Sequence, residues 1–554
     1  MAGQEKISFD IRGMTCPSCE VHVANAIKSV EGVLSVEIPG WESSEAEVVA
    51  EQGIDAKSFA EAVLQAGYGA SVRARQPADG KTSSNGKGDG RFDLMVIGGG
   101  SAGFAAAIKG AELGFKVGLV EAGEIGGTCV NVGCIPSKTL IRSVELYHQA
   151  GQERFKGIST SQGPIDWPQV IDHKDELVRD LRKAKYSDVL KAYPEITYIQ
   201  GTATLRGGNE LEIDGEAYAP GKIIIAAGAS PWAPPIPGLA ESGYLDSTAA
   251  LDLREIPESL IVLGANAVGL EIAQIYARAG TNVTVLEVLP RIAPFEDEEI
   301  SAALTGYLEN EGLQIVTGFQ TASVEKAEGR YTLRGTQDEA DLTFEAEQLL
   351  VATGRRPNTT GLGLEEAGVK LGKRGEILVD EHLATDNPEI YAVGDILGRD
   401  MFVYVAAYDG ILAAENALSQ AGRVYDADYI ARITFTDPQI ASAGLTEAQA
   451  RERGYEVKVS TLEMKHVPRA LAARDTRGLI KLVADASTDR LLGAHILAPE
   501  AGEMIQTAVM AIKFGITVSE MRSMMFPYLT NAEGLKLAVL AFDKDVAMLS
   551  CCAG

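Results

Sequence analysis

Six cysteines occur in the 554-residue chain, and they come only as close pairs: Cys16/Cys19, Cys129/Cys134 and Cys551/Cys552. Cysteines serving only a core would not all pair this way. Close pairs in a compartment that keeps thiols reduced point to metal binding or redox chemistry. The first is a Cys-x-x-Cys opening a helical pattern. A helix N-terminus lowers the thiol pKa, and the thiolate is the species that binds metal. The last pair sits in the C-terminal tail, where a mobile segment can carry an ion but adds little to a core.

Two glycine-rich turns form a second constellation, Gly98-Gly-Gly100-Ser-Ala-Gly103 and Gly264-Ala-Asn-Ala-Val-Gly269. Alone, such a turn is a weak signal. Here each follows a strand pattern and opens a helix pattern, and an acid, Glu121 or Glu287, stands 18 residues beyond the last Gly. In that context the turn predicts a dinucleotide site: pyrophosphate lies on unpaired N–H groups at a helix N-terminus, and the acid takes a ribose hydroxyl. In the second copy Asn266 replaces the middle Gly and crowds the pyrophosphate slightly.

The elements that must position these groups follow from periodicity. In residues 1–75, Ile7, Phe9 and Ile11 alternate as in a strand, and Val21, Ala24, Ile27 and Val30 recur at helical spacing. Strand patterns LSVEI and EAEVVAE, a short helix over 58–65 and the strand GASVRAR complete a βαββαβ ferredoxin-like module. Residues 76–90, rich in Gly, Ser, Asn and Asp, have the composition of a flexible linker. In the remainder, strand–turn–helix–strand occurs twice: FDLMVI to Glu121, then SLIVLG to Glu287. The fold class is therefore α/β, with two doubly wound, Rossmann-like domains, one inserted in the other, and a further α/β domain from about residue 430. The expected boundaries are 91–235 with 360–428 for the first domain, 236–359 for the second, 429–545 for the third and 546–554 for the tail.

Composition narrows the function. With 50 basic against 77 acidic residues the net charge is −27, which repels phosphate backbones and anionic lipid. No nucleic acid and no membrane is expected as partner. The charge-free stretch 223–240 holds four prolines and reads as strand and loop, not a span. The N-terminus lacks an apolar leader, so the expected location is cytoplasmic.

The segment Gly126-Gly-Thr-Cys129-Val-Asn-Val-Gly-Cys134-Ile-Pro-Ser-Lys138 resembles the redox-disulfide signature of the flavin disulfide reductases. Ala352-Thr-Gly-Arg-Arg-Pro-Asn358 and Thr385-Asp-Asn-Pro-Glu-Ile-Tyr-Ala-Val-Gly-Asp395 are similar to two further motifs of that family, so the likeness runs from about 92 to 545. It implies FAD at the first turn (Gly98, Gly100, Gly103, Glu121) and a nicotinamide dinucleotide at the second (Gly264, Gly269, Glu287), with electrons passing through flavin to Cys129/Cys134. It also implies Lys138 beside the flavin, paired with Glu271, and FAD contacts from Gly123, Thr128, Ala203, Asp395 and the backbone of Val403.

Members of the family that reduce disulfides carry a C-terminal His-Pro with a Glu five residues after the His, an acid–base dyad for the leaving thiol. Here Phe526-Pro527 and Asn531 occupy those places, and the six His (22, 148, 173, 382, 466, 495) all lie elsewhere in the chain. A thiophilic ion, which needs two electrons and no such relay, fits better. Gly13-Met-Thr-Cys16-Pro-Ser-Cys19 resembles the heavy-metal-associated motif, and Tyr186 and Tyr528 stand where mercuric reductases place active-site tyrosines. The whole chain is similar to that branch of the family. The resemblance implies reduction of Hg(II), supplied as thiol complexes, to Hg(0). The metal would pass from Cys16/Cys19 through Cys551/Cys552 to Cys129/Cys134, in a homodimer whose active site is shared between subunits. Soft thiolates select soft ions, and two of them satisfy a linear one.

Two alternatives remain open at this point: a dihydrolipoamide dehydrogenase-like disulfide reductase with a fused metal domain, and a metal-sequestering flavoprotein without turnover. The reductant is open as well. The resemblance implies NADPH, whereas Glu287 would repel a 2′-phosphate and favours NADH, unless Arg291 turns back to compensate.

Overall fold

The computed structural model describes residues 4–12, 14, 17–30, 32–40, 45–51, 54, 58–59, 62–63, 66, 68–77, 92–419, 421–427 and 429–546. Cys16, Cys551, Cys552 and most of the linker segment lie outside them. The chain divides into two compact units, residues 1–91 and 92–554.

In the first unit, strands Gln4–Arg12, Val33–Glu37, Glu45–Glu51 and Gly69–Pro77 form an antiparallel sheet with helix Pro17–Lys28. The third strand of the chain pairs with both the second and the first, and the first pairs with the fourth. The alternation of Ile7, Phe9 and Ile11 buries all three, facing Val23, Ile27, Phe59 and Val63. Of the second helix expected over 58–65, residues 58–59 and 62–63 are described, and they are helical.

The larger unit is built on two parallel sheets. The first orders Ile390–Ala392, Lys222–Ile225, Leu94–Ile97, Val117–Glu121 and Ile196–Gln200. The second orders Gln314–Val316, Asn282–Leu286, Ser259–Leu263 and Gln348–Val351. The inner strands of both are nearly unbroken runs of Ile, Leu and Val, the pattern of sheets covered on both faces. Residues of the second sheet fall between segments of the first, which is the insertion that two βαβ patterns predict. An antiparallel sheet, Arg432–Thr434, Gln439–Gly444, Leu491–Ala498, Leu479–Asp485 and Val457–Glu463, forms the C-terminal domain with helices Ala501–Lys513 and Glu533–Leu540. Both glycine-rich turns leave the carboxyl ends of parallel strands, where such sheets place ligands. Among the described residues no helix is long and apolar enough to cross a membrane.

Candidate active site

At Gly98 the backbone has φ +112°, and a Cβ would lie 2.3 Å from the Ala226 carbonyl oxygen; at Gly264 the values are +106° and 2.6 Å from Ala352. The two turns are local copies of one geometry that only glycine enters without strain. Gly103 and Gly269 bring each helix onto its turn, since a Cβ there would meet the oxygen of Gly98 or Gly264 at 1.8 and 2.0 Å. The helices they open, Ser101–Glu112 and Ala267–Ala279, have no side-chain cap, so their first N–H groups are available to an anion.

The first turn opens on a cavity of about 390 Å³ lined by Gly98, Gly100, Glu121, Thr128, Cys129, Cys134, Ala203, Asp395 and Val403. Gly103 and Gly123 do not line it directly: Gly103 packs the helix, and the Gly123 N–H donates to Glu121 at 2.7 Å. Burial raises the pKa of Asp395, opposed by the Arg355 guanidinium. A glycine cradle at an uncapped helix start, a ribose-type acid and a cavity that ends at two thiols fit FAD.

The redox loop reaches this cavity because Gly127, at φ +60°, passes so close to Gly100 that a Cβ would lie 2.6 Å from the Gly100 Cα. Cys129 sits on the short helix Gly127–Val132, and Cys134 is the first residue of helix Cys134–Ala150. Both are thiols. Cys129 donates a hydrogen bond to Cys134, which with the Lys138 ammonium lowers Cys134 to about 7 against burial. The same bond, and burial, raise Cys129. One proton is thus shared unequally: Cys134 is the more acidic of the two, at a helix N-terminus that favours its thiolate.

Lys138, one turn on, bonds Glu271 at 2.7 Å and lies 4.5 Å from the centre of the Phe435 ring. Glu271 is 5% exposed, and its other oxygen accepts from the Phe435 N–H at 2.9 Å. This carboxylate therefore joins the redox helix, the second Rossmann-like domain and the C-terminal domain. Tyr186 is half-buried in a π-helical turn, Lys183–Ser187, where its ring packs 4.8 Å from that of Phe104. Burial raises its pKa despite a hydrogen bond with Ser101, and the two thiols add to the rise. As an isolated tyrosine on a polar helix it would read as a surface residue; the π turn aims it inward.

The second turn opens on a larger cleft, about 1080 Å³, lined by Gly264, Ala265, Glu287, Leu289, Thr353 and Arg355 among others. Gly269 lies behind it in the helix. Arg291 does not turn back: its Nη2 donates to the carbonyls of Pro294 and Glu296 at 3.0 and 3.1 Å.

Tyr528 is not brought to the thiols within the chain. It lies 54% exposed in the C-terminal domain, near the half-buried Phe526. Asn531, at the former Glu position, donates to the Pro499 carbonyl at 3.1 Å. Sequence reasoning missed Phe435 and Arg355. The latter donates to Thr128 Oγ1 at 3.3 Å and to the Ala229 carbonyl, tying the nicotinamide-side cleft to the residue before Cys129. Its place inside Ala352–Asn358 was the available signal; nothing local marks Phe435.

Residues 92–421 match the family described as pyridine nucleotide-disulphide oxidoreductase, 430–539 its dimerisation domain, and 8–69 the heavy-metal-associated domain. The chain is 43% identical, over 100% of both sequences, to a mercuric reductase of Staphylococcus aureus. It is 42% identical to one of Bacillus cereus, over 99% of this chain and 87% of that one. To one of Streptomyces lividans it is 47% identical, over 84% of this chain and 98% of the relative. Among solved structures it is similar to the HOCl-induced flavoprotein disulfide reductase RclA from Escherichia coli, with TM-score 0.73, 32% identity, and 81% and 99% of the two chains covered.

Proposed function

Since the chain belongs to the pyridine nucleotide-disulphide oxidoreductase family and is an oxidoreductase that reduces Hg(II), we propose that Cys129 and Cys134 are the site of reduction. The observation that carries this is a pair of free cysteines lining the dinucleotide cavity, Cys134 the more acidic, while Phe526 and Asn531 stand in place of a disulfide reductase's acid–base dyad. Hg(II) arrives as a thiol complex. The Cys134 thiolate forms one Hg–S bond as a carrier thiolate leaves; the Cys129 thiol forms the second, and its proton goes to the second departing carrier. The bound ion then takes two electrons and leaves as Hg(0); both Hg–S bonds break, and the two sulfurs are left as thiolates, one of which takes back a proton.

Flavin, when bound at the first turn, would supply the two-electron transfer from nicotinamide to the ion held by the thiol pair. The chain's own groups set that transfer up. Gly98 and Gly100 admit the pyrophosphate, and Lys138, oriented by Glu271, holds positive charge beside Cys134. Tyr186 lines the approach to the pair. Cys16/Cys19 and Cys551/Cys552 relay the ion inward by thiolate exchange, the latter from the partner of a homodimer whose active site is shared. The dimerisation domain and the exposed Met510, Phe514 and Met525 on it support that assembly. Gly264, Gly269 and Glu287 hold the nicotinamide dinucleotide; NADPH and NADH differ only by the 2′-phosphate that Glu287 would face.

The test is anaerobic NAD(P)H oxidation with and without Hg(II) as a thiol complex, with volatile mercury trapped. Stimulation together with trapped mercury is expected. Reduction of lipoamide instead would overturn the reading in favour of a disulfide reductase. Cys129→Ala or Cys134→Ala should cut Hg(II)-dependent turnover by ~10³-fold or more while the purified protein keeps its flavin absorbance. Loss of flavin would make the pair structural.

A further inference from the structure

We propose that this chain takes NADH in preference to NADPH, and that Glu287 is the residue that makes the choice. The inference rests on the second turn being the nicotinamide site.

The carboxylate of Glu287 is built into the cleft rather than hanging over it. It is 6% exposed, and its two oxygens accept from the backbone N–H groups of Ala265 at 2.7 Å and Leu289 at 2.9 Å. The first turn repeats this arrangement: Glu121 accepts from Gly99 at 2.6 Å and Gly123 at 2.7 Å. Each acid is thus clamped between its own glycine-rich turn and the residue two positions on. A carboxylate held by two N–H groups cannot swing out of the way, and it keeps lone pairs for ribose hydroxyls. The first site is fitted to a dinucleotide whose ribose bears a free 2′-hydroxyl, and the second has the same clamp in the same register.

A 2′-phosphate would bring a dianion against that fixed charge in a partly closed cleft, where screening by water is weak. Accommodation would need a cation at the same end, as the Arg of NADP-type sites provides. Arg291 is the nearest candidate in sequence, and it is bonded to the Pro294 and Glu296 carbonyls. The neighbours of Glu287 at this end of the cleft, Val288, Leu289 and Phe295, carry no charge. The cleft's basic residues come from two other segments of the chain, Arg355 with Arg356 and Lys373 with Arg374. Arg355 bonds Thr128, beside Cys129; Arg374 bonds the Gly398 carbonyl at 3.3 Å; Arg356 stacks on Trp232.

The deciding experiment is equilibrium binding of NAD⁺ and NADP⁺ to the FAD-loaded full-length protein by calorimetry, paired with anaerobic flavin bleaching by NADH and NADPH. The wild type should bind NAD⁺ at least tenfold more tightly, and NADH should bleach the flavin at correspondingly lower concentration. Glu287→Gln, which keeps one acceptor and loses the charge, should narrow that ratio to about threefold or less. Glu287→Ser with Leu289→Arg, which adds a cation, should reverse it. Tighter NADP⁺ binding by the wild type, or an unchanged ratio in the flavin-loaded Gln variant, overturns the inference. Binding of neither dinucleotide overturns it too. A preference for NAD⁺ without Hg(II)-dependent oxidation would leave the inference standing and sink the mercury reading; NADPH-only mercury reduction would do the opposite.

Discussion

At the scale of the residue, the centre's asymmetry is chemical before it is catalytic. Two cysteines of equal intrinsic acidity are separated because one donates to the other beside a lysine, at the start of a helix. The hydrogen bond from Cys129 is the larger cause and the Lys138 charge a smaller one. A lowered thiol pKa means that the thiolate is present above about 7 and is lost as pH falls through it. In the reduced protein, alkylation of Cys134 followed by peptide mass spectrometry should show a midpoint near 7. Cys129→Ala should move that midpoint up, and Lys138→Met should move it up by less. A midpoint in the ordinary thiol range for the wild type would remove the basis for calling Cys134 the attacking group. The cysteine pairs were legible in the sequence because their spacing is itself the chemistry. The unequal division of their proton was not, since it depends on a lysine one turn along and on burial.

At the scale of the element, the glycine-rich turns were readable because steric demand is local: no side chain can occupy Gly98 or Gly264 at these dihedrals, whatever surrounds them. The C-terminal Phe-Pro and Asn531 were readable by substitution within a motif. The π turn was not. Lys183–Ser187 carries an ordinary helical composition, and nothing in it marks the extra residue per turn that accompanies the packing of Tyr186 onto Phe104. Deleting Ala184 should restore α geometry and rotate Tyr186 by about 100° off its direction. We expect a folded, flavin-loaded protein whose Hg(II)-dependent turnover falls by ~10- to 100-fold, the scale of a mispositioned group. Unchanged turnover would return Tyr186 to the status of a packing residue. Arg291 shows the complementary limit: its charge is visible in the sequence, but its direction is set by two carbonyls a few residues on.

At the scale of the whole molecule, the chain divides at residue 91 into a metal-binding unit and a catalytic body that each carry their own core. Removal of residues 1–90 should therefore leave a cooperatively folding body with flavin bound and turnover retained on small thiol complexes of Hg(II), checked by calorimetry and steady-state kinetics. An insoluble truncation would place the division wrongly. Within the body, Glu271 belongs to one domain, bonds the lysine of a second and accepts an N–H from a third. It works as an interlock. A loosening that separates the three domains breaks the bonds to this carboxylate, and the lysine beside the thiols loses its bearing while every sheet is still intact. On heating, the enzyme should fall silent at a lower temperature than the one at which it loses colour, and recover on cooling. Glu271→Gln should widen that silent interval. The acidic surface does nothing to close it, because this contact lies not at the surface but where three bodies share one side chain.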